Sequence, residues 1–284
     1  MQVGNYLKKY QPVLYQTFVN SLQQKKLSHA YLIVGNPGTP LLETAKYLAK
    51  TLICDDPSPL ACDNCISCMR FDSDNFPDMI ILDGKEKTIK KDDVLEVENR
   101  FDKTALDDKG IMIYIINLVE NMTVEAVNSM LKFLEEPGTE IYAFLTTNNE
   151  NNVLPTIISR CQTLYLKSRN RNDVIKEAME YNISQDDAEL LSYFYNDGER
   201  IYELLNSEDK DPYINMKEAV CEFINALNED KSKAIYVMEH QVIGLVKSKE
   251  DLRYFLDMLA QFFEDLLNIV SNRDITLKSY ATIL

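Results

Sequence analysis

Five short apolar runs, Ala30 to Val34, Met79 to Leu82, Ile111 to Ile116, Ile141 to Thr146 and Thr163 to Leu166, punctuate the N-terminal part of this 284-residue chain. Helix-patterned segments lie between them. The run Ile111-Met112-Ile113-Tyr114-Ile115-Ile116 has no alternating polar position, as expected of a strand covered on both faces. Parallel strands need long crossover connections, usually helices. The alternation therefore predicts an α/β parallel sheet to about residue 166. Helices are expected over Leu41 to Leu52, Lys91 to Lys103 and Thr123 to Glu136. In the last of these Thr123 can cap, and Val127, Met130, Leu131 and Leu134 form the apolar stripe. Residues 5–28 also read as helices, through Leu7, Tyr10, Leu14, Phe18 and Leu22.

Beyond residue 166 the strand signal stops. Asn172 to Tyr181, Asp186 to Tyr195 and Arg200 to Asn206 read as a small helical unit, and Pro212 to Leu284 as longer helices. Net charge is −15, so a sequence-independent grip on nucleic-acid phosphates is not expected over most of the surface. The local clusters Lys167/Arg169/Arg171 and Lys85/Lys87/Lys90/Lys91 read as solvated charge. The N-terminus does not read as a signal peptide, and no apolar run approaches the ~20 residues that span a bilayer. A soluble, cytoplasmic protein is the expectation.

The turn after the first run has the outline of a phosphate-binding loop without its chemistry. The template G-x-x-x-x-G-K-[ST] starts at Gly35 and passes Gly38, but Pro40 stands at its second Gly, Leu41 at its Lys and Leu42 at its Ser/Thr. Proline has no N–H to donate, and leucine neither neutralises phosphate nor holds Mg²⁺. A second element is altered in the same sense. Strand Ile111 to Ile116 leads into Asn117 and Leu118, where a nucleotide-hydrolysing relative needs an acidic pair for Mg²⁺ and water. Glu120 is displaced from that position and reads as an exposed helix residue. No ATP is expected in cis.

Cys54, Cys62, Cys65 and Cys68 fall within fifteen residues. In a cytosolic chain this spacing suits tetrahedral thiolate coordination of structural Zn²⁺, with an iron–sulfur cluster or free thiols as the alternatives. Cys221 reads as a core residue. Arg160, in Ile158-Ser159-Arg160-Cys161, reads by position alone as a surface charge or a salt-bridge partner.

Taken in order, several segments resemble the delta-prime subunits of the bacterial DNA polymerase III clamp loader, within the AAA+ superfamily. They are Ser28-His29-Ala30-Tyr31-Leu32, the four-cysteine insertion, Asn128-Ser129-Met130-Leu131-Lys132-Phe133-Leu134-Glu135-Glu136-Pro137 and Ser159-Arg160-Cys161. The resemblance implies an AAA+ P-loop domain over 1–166 with a zinc module at 54–68. It also implies a helical lid over 167–208 and an all-α collar or oligomerisation domain over 209–284, which is short for the family and so trimmed or truncated. It implies a non-hydrolysing structural subunit of the replicative clamp loader. Gamma/tau and delta subunits would be its partners, and the sliding clamp and primed DNA would be met through the complex. Arg160 would be an arginine finger in trans, with a structural ion pair to a carboxylate of this chain as the rival role. Arg200 lies where relatives place a phosphate-sensing arginine, although an ion pair is the favoured reading here. Thr146 and Thr147 lie where relatives place a nucleotide sensor, with strand-end hydrogen bonding as the alternative. Two other classes remain to be distinguished: an active ATPase of the gamma/tau type with an atypical loop, and a zinc-dependent nucleic-acid-binding module.

Overall fold

The computed structural model describes residues 3–73, 75–85, 87–101, 105–135, 138, 140–207 and 210–283. The chain divides into two compact units, one ending at Ser168 and the other beginning at Arg169.

The first unit opens with α1 (Val3–Tyr10) and α2 (Pro12–Gln23), which are separate helices because Pro12 has no N–H to carry the ladder onward. Then follow β1 (Ala30–Gly35), α3 (Leu41–Ile53), α4 (Ile66–Asp72), β2 (Met79–Asp83) and α5 (Lys91–Phe101). β3 (Met112–Asn117), α6 (Val124–Glu135), β4 (Ile141–Thr147), α7 (Pro155–Ile158) and β5 (Gln162–Leu166) complete it. The strands form one sheet in the order β2-β3-β4-β1-β5, and every pairing is parallel. This is the α/β parallel sheet that the apolar runs predict.

All six residues of β3 are buried, so the run without alternation is covered on both faces. Ala30 and Leu32 share one core with Val94, Val97, Ala126 and Met130 of α5 and α6. The alternate residue Tyr31 joins Phe144, stacked at 5.4 Å, and Phe18 of α2, edge-on at 5.3 Å. Burying each such side chain contributes about 1.5–3 kcal/mol, and the aromatic pairs add about 0.5–1.5 kcal/mol each.

The chain leaves β1 for the far edge of the sheet, whereas it leaves β4 for β5 on the other side of β1. Connections that diverge from neighbouring strands open a crevice at their carboxyl ends, where ligands of open α/β sheets bind. The degenerate loop stands there.

Some boundaries differ from expectation. α4, inside the cysteine segment, and the short α7 carry too few periodic positions to be read in advance. The helix expected to Lys103 is described to Phe101, and Asp102 and Lys103 lie outside the described residues. The Thr123 hydroxyl accepts the Ala126 N–H at 3.2 Å, as a cap should. Glu136 and Pro137 lie outside the described residues.

The second unit is helical: α8 (Arg171–Glu180), α9 (Gln185–Leu191), α10 (Gly198–Leu205), α11 (Asp211–Glu229), α12 (Lys231–Val237), α13 (Ile243–Leu245) and α14 (Lys249–Val270). A π-helical turn over Met238–Val242 joins α12 to α13. Ser184, Asp197 and Ser248 cap α9, α10 and α14 through their side chains. A Cβ on Gly198 would stand 2.6 Å from the Ala178 nitrogen, so glycine permits α10 to approach α8. One core, including Val174, Leu190, Tyr213, Met216, Phe262 and Tyr280, runs through these helices. Cys221 packs half-buried against it, as read from the sequence. Among the described residues no helix is long and apolar enough to cross a membrane.

Candidate functional site

The loop between β1 and α3 is closed upon itself. Gly38 adopts φ +89°, the left-handed region that glycine tolerates. The Thr39 hydroxyl donates to the Asn36 carbonyl at 2.7 Å, and the Asn36 amide donates to the Ser168 hydroxyl at 2.9 Å. Pro40 caps α3 without a side-chain bond, and Pro40 and Leu41 are both buried. The Leu41 side chain turns back toward Gly35, where its Cδ2 lies 3.3 Å from the place a Cβ would occupy. A lysine in a working loop reaches outward to phosphate. Here the corresponding side chain fills the space beneath the loop.

At the ends of β2, β3 and β4 a polar chain replaces the acidic pair. The Asn117 amide donates to Asp83 Oδ1 at 2.7 Å, and Asn117 Oδ1 accepts the Thr146 hydroxyl at 2.6 Å. Thr146 in turn accepts the Leu118 N–H at 3.0 Å. Asn117 and Thr146 are buried, and each is satisfied by neighbours in this unit. Leu118 has φ +57° and presents no group that could polarise water. Thr147 accepts the Asn149 N–H at 3.0 Å, so both threonines make strand-end hydrogen bonds. Glu120 departs from the sequence reading. It lies half-buried in a 3₁₀ turn over Val119–Asn121, and its Oε1 accepts the Asn148 N–H at 2.8 Å. Asp83 was not anticipated; an aspartate ending an apolar strand was its only signal.

The four cysteines converge. Cys54 ends α3, Cys65 caps α4, and the four sulfurs lie within 4.8 Å of one another. Cys54 and Cys65 sulfurs are 3.9 Å apart, close to the ~3.8 Å edge of a tetrahedron with Zn–S bonds of about 2.3 Å. Backbone N–H groups of Cys62, Cys65 and Cys68 point at the sulfurs of Cys54, Cys62 and Cys65 at 3.3–3.4 Å. Such bonds favour thiolates. N–H groups of Asn64 and Cys65 pull the Cys62 thiol down to about 7, whereas burial pushes Cys54 and Cys68 up. A divalent cation would supply the charge needed to hold all four as thiolates. The centre therefore could hold a metal ion. It is tied to the sheet unit by Lys50, which pairs with Asp63 at 2.5 Å and Asp72 at 2.8 Å, and by Asp55 on Lys109 at 2.6 Å.

Arg160 lies elsewhere. It follows α7 and precedes β5, at the amino end of the strands. Gly35 pairs with Leu166 at the opposite end of β5. The strand alone separates the two by about 13 Å at ~3.3 Å per residue. The Arg160 guanidinium donates to the Thr156 carbonyl at 2.8 Å, the Ser159 hydroxyl at 3.3 Å and Glu135 Oε1 at 2.5 Å. Its side chain remains 31% exposed. The basic residues near 170 have local roles. Arg169 pairs with Glu177 at 2.5 Å, and Arg171 donates to the Glu189 carbonyl and stacks on Tyr193. The Arg200 guanidinium stands 5.5 Å from the centre of the Tyr195 ring. Burial pushes the Cys161 thiol up to about 12, which marks it as an unreactive packing residue.

The parallel sheet, with a loop of phosphate-loop outline at its switch point and an asparagine at the acidic position, defines an open α/β module whose loop end is filled by its own side chains. A family model described as DNA polymerase III, delta subunit, matches residues 10–170. The chain is 32% identical over 269 residues to DNA polymerase III subunit delta′ of Bacillus subtilis (strain 168), covering 94% of this chain and 80% of that protein. It is 29% identical over 186 residues to subunit delta′ of Buchnera aphidicola subsp. Schizaphis graminum, covering 61% and 56%. With DNA polymerase III subunit tau of Bacillus subtilis (strain 168) it shares 33% identity over 153 residues, 54% of this chain and 27% of that one. The chain belongs to the family of DNA polymerase III delta-prime subunits.

Proposed function

We propose that this chain is a non-hydrolysing structural subunit of the bacterial replicative clamp loader, and that it supplies Arg160 in trans to the ATP site of a neighbouring gamma/tau-type subunit. The observation that carries this reading is the division of the sheet between its two ends. The loop end is filled by Pro40 and Leu41 and by the Asp83–Asn117–Thr146 chain. The other end presents a partly exposed guanidinium, which β5 keeps away from the loop of its own chain. An arginine so placed stands apart from its own loop and would be available to a phosphate held by another molecule. There a fixed guanidinium stabilises the charge that develops on the transferring phosphoryl group. Delta-prime and tau relatives among the similar proteins support gamma/tau as the partner.

Cys54, Cys62, Cys65 and Cys68 would hold one structural Zn²⁺; sulfurs this close suit a single ion better than a cluster that spreads its ligands over several irons. The AAA+ domain would cover 1–166, the lid 167–208 and the collar 209–284. Delta, the sliding clamp and primed DNA would be met within the cytoplasmic complex.

The test is reconstitution with gamma/tau and delta subunits. Arg160→Ala should leave assembly intact on gel filtration and lower DNA-stimulated ATP hydrolysis, by up to about 10³–10⁵ if the finger acts alone. Calorimetry of the isolated zinc-loaded chain with millimolar Mg·ATP should detect no binding. Unchanged hydrolysis by an assembled Arg160→Ala complex would refute the trans role, and micromolar binding would refute the closed loop.

A further inference from the structure

Arg160 is not a bare cation in the free subunit. Its Nη2 lies 2.5 Å from Oε1 of Glu135, the last residue of α6, while its Nη1 is held by the Thr156 carbonyl and the Ser159 hydroxyl. The two sets of contacts do different work. The Nη1 bonds come from the same turn as Arg160, at one and four residues' separation, and they fix where the guanidinium stands. The Glu135 contact comes from another element 25 residues away in sequence and adds a full opposite charge. Orientation is thus provided without Glu135, and what Glu135 adds is neutralisation.

We propose that Glu135 is a displaceable cap on Arg160, a carboxylate that occupies the guanidinium in the free subunit and that the phosphate of the neighbouring site must push aside. The proposal rests on the reading of Arg160 as a finger in trans. A guanidinium paired with carboxylate attracts a phosphate weakly, because the pair is neutral at long range and the carboxylate repels the incoming anion at short range. The pair is also built to open. Its side chains are 31% and 51% exposed, the contact joins single atoms rather than a two-pronged fork, and exposed pairs of this kind hold weakly. A phosphate with two or more charges can outcompete it, whereas a monovalent anion in solution has little advantage over the carboxylate already in place. Glu135 would thereby reserve the arginine for a polyphosphate presented by a docked partner.

The experiment is a titration of the full chain into a complex of gamma/tau and delta subunits, with DNA-stimulated hydrolysis as the readout. Two parameters are separated: the concentration of this chain that gives half-maximal rate, and the rate at saturation. Glu135→Gln keeps size and hydrogen-bonding capacity but removes the charge. It should lower the half-saturating concentration about two- to five-fold, the range an exposed ion pair sustains, and leave the saturated rate unchanged. The gain should shrink with added salt and be absent from the Glu135→Gln/Arg160→Ala double variant. A fall in the saturated rate would show that Glu135 positions the finger rather than capping it. Equal half-saturation for Glu135→Gln and the unmodified chain would also overturn the cap. Arg160→Ala run in parallel tells the two failures apart. If it hydrolyses at the full rate, the finger reading fails and the cap falls with it. If it is impaired while Glu135→Gln shows no gain, the cap alone is wrong.

Discussion

Restoring the missing acid by Asn117→Asp should destabilise the protein, and the loss should depend on pH. Asn117 is 5% exposed, and its amide donates to Asp83 Oδ1 at 2.7 Å. The substitution replaces that donor with a second carboxylate. Two unit charges 2.7 Å apart repel by about 6 kcal/mol at an effective dielectric of 20, so the unpaired arrangement is not the one adopted. Taking up a proton at pH 7 costs an ordinary carboxyl about 4 kcal/mol and restores a donor toward Asp83. Proton uptake therefore sets the ceiling, and the recovered hydrogen bond leaves a net loss of about 2–4 kcal/mol at pH 7. The sign with pH follows from linkage. The new carboxyl titrates higher folded than unfolded, so the folded state binds more protons and stability falls as pH rises between the two values. Near pH 4.5 the loss should shrink to about 1 kcal/mol. Urea unfolding followed by far-UV circular dichroism, each variant against the unmodified chain at the same pH, reads this directly. At pH 7 the midpoint should drop by about 1–2 M urea. A midpoint unchanged at pH 7, or lowered equally at both pH values, would refute the view that the Asp83–Asn117 contact closes the site.

Asp78 is wholly buried and accepts Arg100 at 2.6 Å and the N–H groups of Leu106 and Asp107 at 2.8 and 2.6 Å, so Asp78→Ala should cost about 3–5 kcal/mol in the same urea assay. Cys68→Ser removes a buried member of the four-sulfur set and should abolish stoichiometric zinc by mass spectrometry of purified protein, whereas Cys221→Ser, on α11 and outside that set, should retain it. Gly35→Ala would bring a Cβ within 2.6 Å of the Thr39 hydroxyl and 3.1 Å of Leu166, and the forced shift should cost about 1–3 kcal/mol.

Much of the first unit was legible because its signals are local. The apolar run Ile111 to Ile116 lies, one residue shifted, as β3, since a strand buried on both faces tolerates no polar interruption. The cysteines were legible because metal-ligand spacing is set within a few residues of chain. What escaped was decided by contacts between distant segments. Nothing near Glu135 signals that it meets Arg160, 25 residues on, and nothing near Asp83 signals that Asn117 will donate to it from the next strand. Glu120 was misread for the same reason. Its neighbours suggest an exposed helical position, but the chain turns at Leu118 and delivers it to the Asn148 N–H.

The closed loop bears on what the subunit can do mechanically. In a nucleotide-binding loop, ligand supplies part of the order, because whatever binds only the folded arrangement stabilises it by mass action. Here order comes from within the unit: the Thr39–Asn36 and Asn36–Ser168 bonds, the proline that fixes its own φ at the head of α3, and Leu41 packed toward Gly35. The chain of Asp83, Asn117 and Thr146 likewise links three strand ends through hydrogen bonds made within the unit. A ligand can shift a conformational equilibrium only by binding its states unequally, and at this end of the sheet Pro40 and Leu41 stand where a working loop has its glycine and lysine. On the proposed reading the conformation of the unit should be indifferent to ATP, the property that a fixed surface beside nucleotide-driven neighbours would require.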